Sequence, residues 1–142
     1  MAVLYTTKAT ATGGRGGSVK TADGTLSFNL GVPKELGGPG KADAANPEQL
    51  FACGYAACFG GAVDFVAKQK KVNITGVEVT CEVGIGPRDA GGFGLDVALT
   101  AVVGGVSQQQ AQELVNEAHE KICPYSHATR NNVPVKVTAK AG

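Results

Sequence analysis

Asn46-Pro47-Glu48-Gln49-Leu50-Phe51-Ala52-Cys53-Gly54-Tyr55-Ala56-Ala57-Cys58-Phe59-Gly60-Gly61-Ala62-Val63-Asp64-Phe65-Val66-Ala67-Lys68 is the stretch on which the fold turns. Asn46 is a good N-cap, Pro47 suits the first helical position, and Glu48 and Gln49 place polar groups on the first turn. From Leu50 onward the run is mostly apolar and rich in Ala and Gly. That composition predicts a long helix buried on most sides, whose small residues admit close packing against another helix or a symmetry mate.

Upstream, Val3 to Thr10 has strand composition and ends at Thr12-Gly13-Gly14-Arg15-Gly16-Gly17, a glycine-rich turn that displays Arg15. Val19 to Thr21 and Thr25 to Leu30 flank Ala22-Asp23-Gly24, a hairpin signal, so the chain opens as an antiparallel meander. Gly31 to Ala45, with Pro33 and Gly37-Gly38-Pro39-Gly40, reads as a long loop of the kind that serves a site. Downstream, Val72 to Ile85 and Phe93 to Val103 alternate as two long strands joined through Pro87 and Gly91-Gly92. Ser107 and Gln110 form a capping box for a helix whose Ala111, Leu114, Val115, Ala118 and Ile122 share one face. It stops at Cys123-Pro124, and Val133 to Ala139 supplies a last strand. The order of strands, helix, strands, helix and strand makes the class α+β.

A chain of 142 residues is expected to form one domain over residues 1–142. A net charge of +1 with 18% charged residues leaves no basic stripe for nucleic acid and no acidic excess for disorder. A small uncharged molecule is the expected partner. No segment approaches the roughly 18 apolar residues a bilayer crossing needs, and Met1 to Thr12 lacks the make-up of a signal peptide. The expectation is a cytoplasmic protein with no membrane partner. There, Cys53, Cys58, Cys81 and Cys123 are kept reduced, and a disulfide is more often catalytic than structural.

Cys58 lies ten residues past Glu48, about 15 Å from the helix start, beyond the reach of the helix dipole. An apolar setting raises a thiol's pKa, so a reactive Cys58 needs a cation from elsewhere, and Arg15 is the best candidate, with Glu48 able to hold its guanidinium. The competing reading makes Cys58 a small core residue. Cys123 ends a helix before a proline, where backbone shifts break few hydrogen bonds; that suits a resolving thiol, or simple packing. Spacing does not say which thiol it meets. Cys53 is expected to pack, and Cys81 belongs to a strand face with Val77, Val79 and Val83, the pattern of a core thiol. His119, Cys123 and His127 invite a zinc reading but lack a fourth ligand, so no metal is expected.

Four motifs then combine: Asn46-Pro47-Glu48-Gln49-Leu50-Phe51, Gly54-Tyr55-Ala56-Ala57-Cys58-Phe59, Gly91-Gly92-Phe93-Gly94-Leu95 and Cys123-Pro124-Tyr125-Ser126. With Thr12-Gly13-Gly14-Arg15 and Gly37-Gly38-Pro39-Gly40, they resemble the organic hydroperoxide resistance branch of the OsmC-like superfamily over essentially the whole chain. Phe51, Tyr55 and Tyr125 favour that branch over the osmotically induced one. The resemblance implies an intertwined homodimer of α+β subunits, with antiparallel sheets around long central helices and sites at the subunit interface. It implies Cys58 as the peroxidatic cysteine, Cys123 as its disulfide partner, and Arg15 with Glu48 as the activating pair.

The expected activity is reduction of organic hydroperoxides, alkyl and lipid, to alcohols. There is no resident cofactor, and the disulfide is recycled by an external dithiol, a lipoyl group or lipoylated protein. Phe51, Tyr55, Phe93, Leu95 and Tyr125 are the expected apolar substrate contacts. His127 and Asn131 stand where the family has Asn and Gly, and Cys53 where Ala is usual. The alternative is a binding module for small apolar or electrophilic ligands on the same fold, without turnover.

Overall fold

The computed structural model describes every residue from Met1 to Gly142 as two compact units, Met1–Leu50 and Phe51–Gly142. In the first, strands β1 (Ala9–Thr12), β2 (Ser18–Thr21) and β3 (Ser27–Asn29) form the antiparallel meander that the glycine turn and Asp23-Gly24 foretold. The Asp23 carboxylate accepts from Thr21 Oγ1 and the Thr25 amide, and Gly24 takes a φ of 75°, which fixes the hairpin. β1 starts later than Val3. Its partner β2 turns away after Thr21, so Val3 to Thr7 meet no ladder, and Lys8 only accepts the Ala22 amide. The loop of residues 31–45 is closed by a bridge between Leu30 and Ala45.

Helix α1 spans Pro47–Gln69. Asn46 and Gln49 cap it reciprocally, Asn46 Oδ1 accepting the Gln49 amide at 2.9 Å and Gln49 Oε1 the Asn46 amide at 3.0 Å. It ends where Lys71 adopts a φ of 56° while Lys71 and Val72 donate back to Lys68 and Ala67, a left-handed cap built on lysine instead of glycine. Tyr55, Phe59, Ala62, Val63, Val66 and Ala67 form its buried side. Burial on most sides is not what the single chain has. Cys53, Ala57, Gly61 and Phe65, four apart in sequence, lie exposed in one stripe. Nor does the expectation that no segment approaches a membrane span hold, because α1 is long and apolar enough to cross one, although a third of that window is buried inside the protein. A helix made of core residues and small residues passes the same test of length and composition.

The second sheet is β4 (Gly76–Pro87), β5 (Phe93–Gly104) and β6 (Val135–Ala141). β4 and β5 pair antiparallel from Gly76–Gly104 to Pro87–Phe93; β6 joins β5 in parallel, the departure from an all-antiparallel reading. The reason is connectivity: helix α2 (Gln108–Glu117) crosses between β5 and β6 and returns the chain in the same direction. Val77, Val79, Cys81 and Val83 stand opposite Val103, Ala101, Leu99 and Val97, so one sheet face feeds the core. Ser107 caps α2 with Gln110 as expected. Beyond Glu117 the helix widens into a π-turn, Ala118–Ile122, and a further helix α3 (Pro124–Thr129) follows, an element absent from the expected order of strands, helix, strands, helix and strand.

Candidate functional site

On its glycine turn, Arg15 donates from two nitrogens to the two Glu48 oxygens, at 2.9 and 2.6 Å. Gly13 and Gly14 there have φ of 77° and 57°, values that leave a β-carbon strained. The fork pairing is the one expected of guanidinium and carboxylate, and it holds the Glu48 carboxyl below, and the Arg15 guanidinium above, their ordinary pKa values. The Arg15 side chain remains 40% exposed, so a charge is presented and not sealed away.

In the second unit, Cys123 Sγ lies 3.9 Å from Cys58 Sγ, both as free thiols. Cys123 is fully buried and Cys58 partly so. Burial first, and then Cys123, pushes the Cys58 thiol above its ordinary pKa, while a hydrogen bond from the Tyr125 main chain pulls it down. The π-turn and Pro124 produce this approach. The Cys123 amide donates to Ala118 O at 2.8 Å, closing the π-turn, and Cys123 itself is extended, with φ −67° and ψ 117°, as the residue before α3. Cys53 is exposed in the single chain, not packed; Cys81 faces the core opposite Leu99 with its pKa raised chiefly by burial.

Of the expected apolar contacts, Phe51, Tyr55 and Tyr125 come together, with ring centroids 5.9, 6.3 and 5.7 Å apart. Gly54 makes room for this: a β-carbon there would stand 3.1 Å from the Tyr125 hydroxyl. Tyr55 is fully buried, whereas Tyr125 is 40% exposed and forms the outer edge of the group. Phe93 and Leu95 sit at the turn end of the β4–β5 hairpin, Phe93 being 70% exposed and Leu95 lining a cavity of about 380 Å³ with Ile85 and Arg88. No cluster of three or more His, Cys, Asp or Glu side chains is placed to share a metal ion. His119 instead meets Ser126 Oγ at 2.9 Å, and His127 is exposed on α3. Asn131, where the family resemblance leads to the expectation of Gly, takes a φ of 61°, a conformation asparagine tolerates better than most residues.

The OsmC-like protein family is matched over residues 38–138. The chain belongs to that family. It is 51% identical over 137 residues to the organic hydroperoxide resistance protein of Xanthomonas axonopodis pv. citri (strain 306), covering 96% of this chain and 94% of that one. It is 46% identical over 140 residues to the organic hydroperoxide resistance protein OhrB of Bacillus subtilis (strain 168), covering 96% and 98%. Among solved structures, an organic hydroperoxide resistance protein from Elizabethkingia anophelis superposes with a TM-score of 0.94 at 50% identity, covering all of both chains. OhrB of B. subtilis superposes with a TM-score of 0.86 at 44% identity, covering 99% of this chain and all of that one.

Ser126 closes the Cys123-Pro124-Tyr125-Ser126 motif without a role assigned to it, and Thr129 lies outside every motif. Ser126 and Thr129 are the buried polar residues of the chain, and both bond to Tyr55. Their sequence signal was a polar pair three apart after Cys-Pro, the spacing of one helical face, hidden because the segment reads as a loop.

Proposed function

We propose that this chain is a cysteine-based peroxidase that reduces organic hydroperoxides to alcohols. The observation that carries the reading is the 3.9 Å approach of the Cys58 and Cys123 sulfurs, two free thiols from elements 65 residues apart. A disulfide needs about 2.05 Å, so closure requires a displacement of roughly 2 Å, small enough for a residue that joins two helices. The Cys58 thiolate attacks one peroxide oxygen, the O–O bond breaks, the alkoxide leaves and takes a proton to become the alcohol, and Cys58 becomes a sulfenic acid. The Cys123 sulfur then attacks the Cys58 sulfur, a disulfide forms, and water departs. An external dithiol reopens it by exchange and is itself oxidised to a disulfide; a lipoyl group fits that chemistry, and no resident cofactor is required.

The family resemblance supports Arg15 as the cation that a partly buried Cys58 needs, and the Glu48 fork fixes the orientation of its guanidinium. Phe51 and Tyr125 give the apolar side of the substrate site, and the fully buried Tyr55 packs against both rings. The working unit is a homodimer, supported by the exposed stripe Cys53, Ala57, Gly61 and Phe65, whose small side chains allow a second α1 to approach closely. Phe93 and Leu95, at a hairpin tip, are then available to complete the apolar wall of a neighbouring subunit's site. The reading fits a cytoplasmic protein, because thiols there are kept reduced between turnovers.

A free-thiol count before and after one equivalent of cumene hydroperoxide tests the reading. Two thiols per chain should disappear and return with dihydrolipoamide. An unchanged count would instead favour a binding module for small apolar ligands on the same fold.

A further inference from the structure

The helices that carry the two cysteines are joined by a buried chain of hydroxyls. Tyr55 Oη lies 2.9 Å from Ser126 Oγ and 3.2 Å from Thr129 Oγ1, and Ser126 Oγ lies 2.9 Å from His119 Nδ1. Ser126 is wholly buried and Thr129 is 5% exposed. The direction of every bond follows from counting protons. Thr129 Oγ1 contacts two carbonyl oxygens, Tyr125 O at 3.0 Å and Ser126 O at 3.2 Å, which can only accept, so its one proton is spent there. Tyr55 must then donate to Thr129, Ser126 must donate to Tyr55, and His119 must donate from Nδ1 to Ser126. No buried polar side-chain atom is left without a partner.

The placement of these groups relative to the thiols is what gives the chain a role. Tyr55 is three residues before Cys58 on α1, and Ser126 is three residues after Cys123 on α3, so each stands about one helical turn from its cysteine. His119 is four residues before Cys123, in the π-turn. The network therefore grips both flanks of Cys123 and ties them to the part of α1 that carries Cys58. α3 has six residues, too few to be stable alone, and its position depends on such anchors. Arg130 adds one more, donating to His119 O at 2.7 Å across the base of the same loop.

Ser126 and His119 resemble a nucleophile and base in spacing, but a hydroxyl with no solvent exposure, already donating to Tyr55, has no substrate access. Its burial fits a clamp instead. Resting on the peroxidase reading, we propose that Ser126 and Thr129 are positioning residues for disulfide closure, holding Cys123 within reach of the Cys58 sulfenic acid. The competing fate of that acid is attack on a second hydroperoxide, which yields the Cys58 sulfinic acid and a second alcohol. The clamp decides between these outcomes because closure demands alignment of two protein sulfurs, whereas further oxidation demands only a diffusing peroxide.

The test uses Ser126→Ala, Thr129→Val and the hydroxyl-retaining Thr129→Ser in the full-length protein. Each is treated with one and then ten equivalents of cumene hydroperoxide, with peroxide loss, free thiols, dimedone adduct and sulfinic acid followed in time. Ser126→Ala and Thr129→Val should consume the first equivalent within about threefold of the parent rate, yet close the disulfide about tenfold more slowly. Dimedone adduct and sulfinic acid should accumulate on Cys58, and Thr129→Ser should behave as the parent. Closure at the parental rate in both hydroxyl-free variants overturns the proposal, as does an equal slowing of both steps, the mark of general loosening. Should Ser126→Ala fail to fold, the Thr129 pair decides alone. A parent protein that forms no disulfide at all would defeat the peroxidase reading, a result distinct from either variant outcome.

Discussion

At the scale of single residues, two thiols 3.9 Å apart have unequal surroundings, and this makes their substitutions distinguishable. Cys58 is the partly exposed one; Cys123 is sealed. Cys58→Ser should therefore consume no peroxide even in a first turnover. Cys123→Ser should consume about one equivalent and stall as a sulfenic acid that dimedone traps, as mass spectrometry would detect. Should Cys123→Ser fail to react once, the roles would have to be redrawn. Burial raises the Cys58 pKa, which leaves thiolate scarce at neutral pH unless a cation stabilises it. Arg15→Ala should move the midpoint of the alkylation rate to higher pH and slow the first step at pH 7; an unchanged profile would remove Arg15 from the mechanism. The Arg15–Glu48 pair itself should persist in mild acid. Because the folded Glu48 pKa is depressed, its contribution is present above the ordinary carboxylate value of about 4.3 and is lost only as pH falls through the lower folded value.

At the scale of elements, capping and connectivity were written locally, and the breaks between elements were not. Asn46 with Gln49 and Ser107 with Gln110 both close reciprocal caps in the structure. Ser107→Ala removes one such cap on an exposed turn, and thermal unfolding should show a loss of about 1 kcal/mol, with activity retained. A loss below a few tenths would mean that packing of Ala111, Leu114 and Val115 alone fixes where α2 begins. What the helix pattern concealed is its end. Ala118 and Ile122 continue the apolar periodicity of α2, but the backbone widens to a π-turn so that the Cys123 amide reaches Ala118 O, five residues back. Hydrophobic spacing cannot register one extra residue in a turn, and a six-residue helix after a proline has too short a pattern to stand out.

At the scale of the whole molecule, α1 keeps one apolar stripe uncovered in the single chain. Cys53, Ala57, Gly61 and Phe65 are exposed on it, and Val3, Leu4 and Tyr5 of the N-terminal segment are exposed as well. Light scattering should give about twice the 14.3 kDa chain mass, and Ala57→Arg, which puts a charge on the stripe, should shift it toward the single-chain value. A single-chain mass for the parent would remove the stripe as a subunit contact. The sequence by itself determined the α+β class, the helix caps, the hairpin turns, the glycine turn that carries Arg15, and the chemistry of four cysteines. Each of these is set by neighbours within a few residues, through φ preferences, side-chain period and local hydrogen bonds. Only the tertiary structure decided that Cys123 meets Cys58, that β6 runs parallel to β5, and that Ser126 and Thr129 are core residues bonded to Tyr55. Those facts join positions 65 to 74 residues apart in the thiol and hydroxyl contacts, and no local preference encodes them. They follow from the one packing that buries the apolar faces of α1, α2 and the second sheet while leaving every buried hydroxyl a partner.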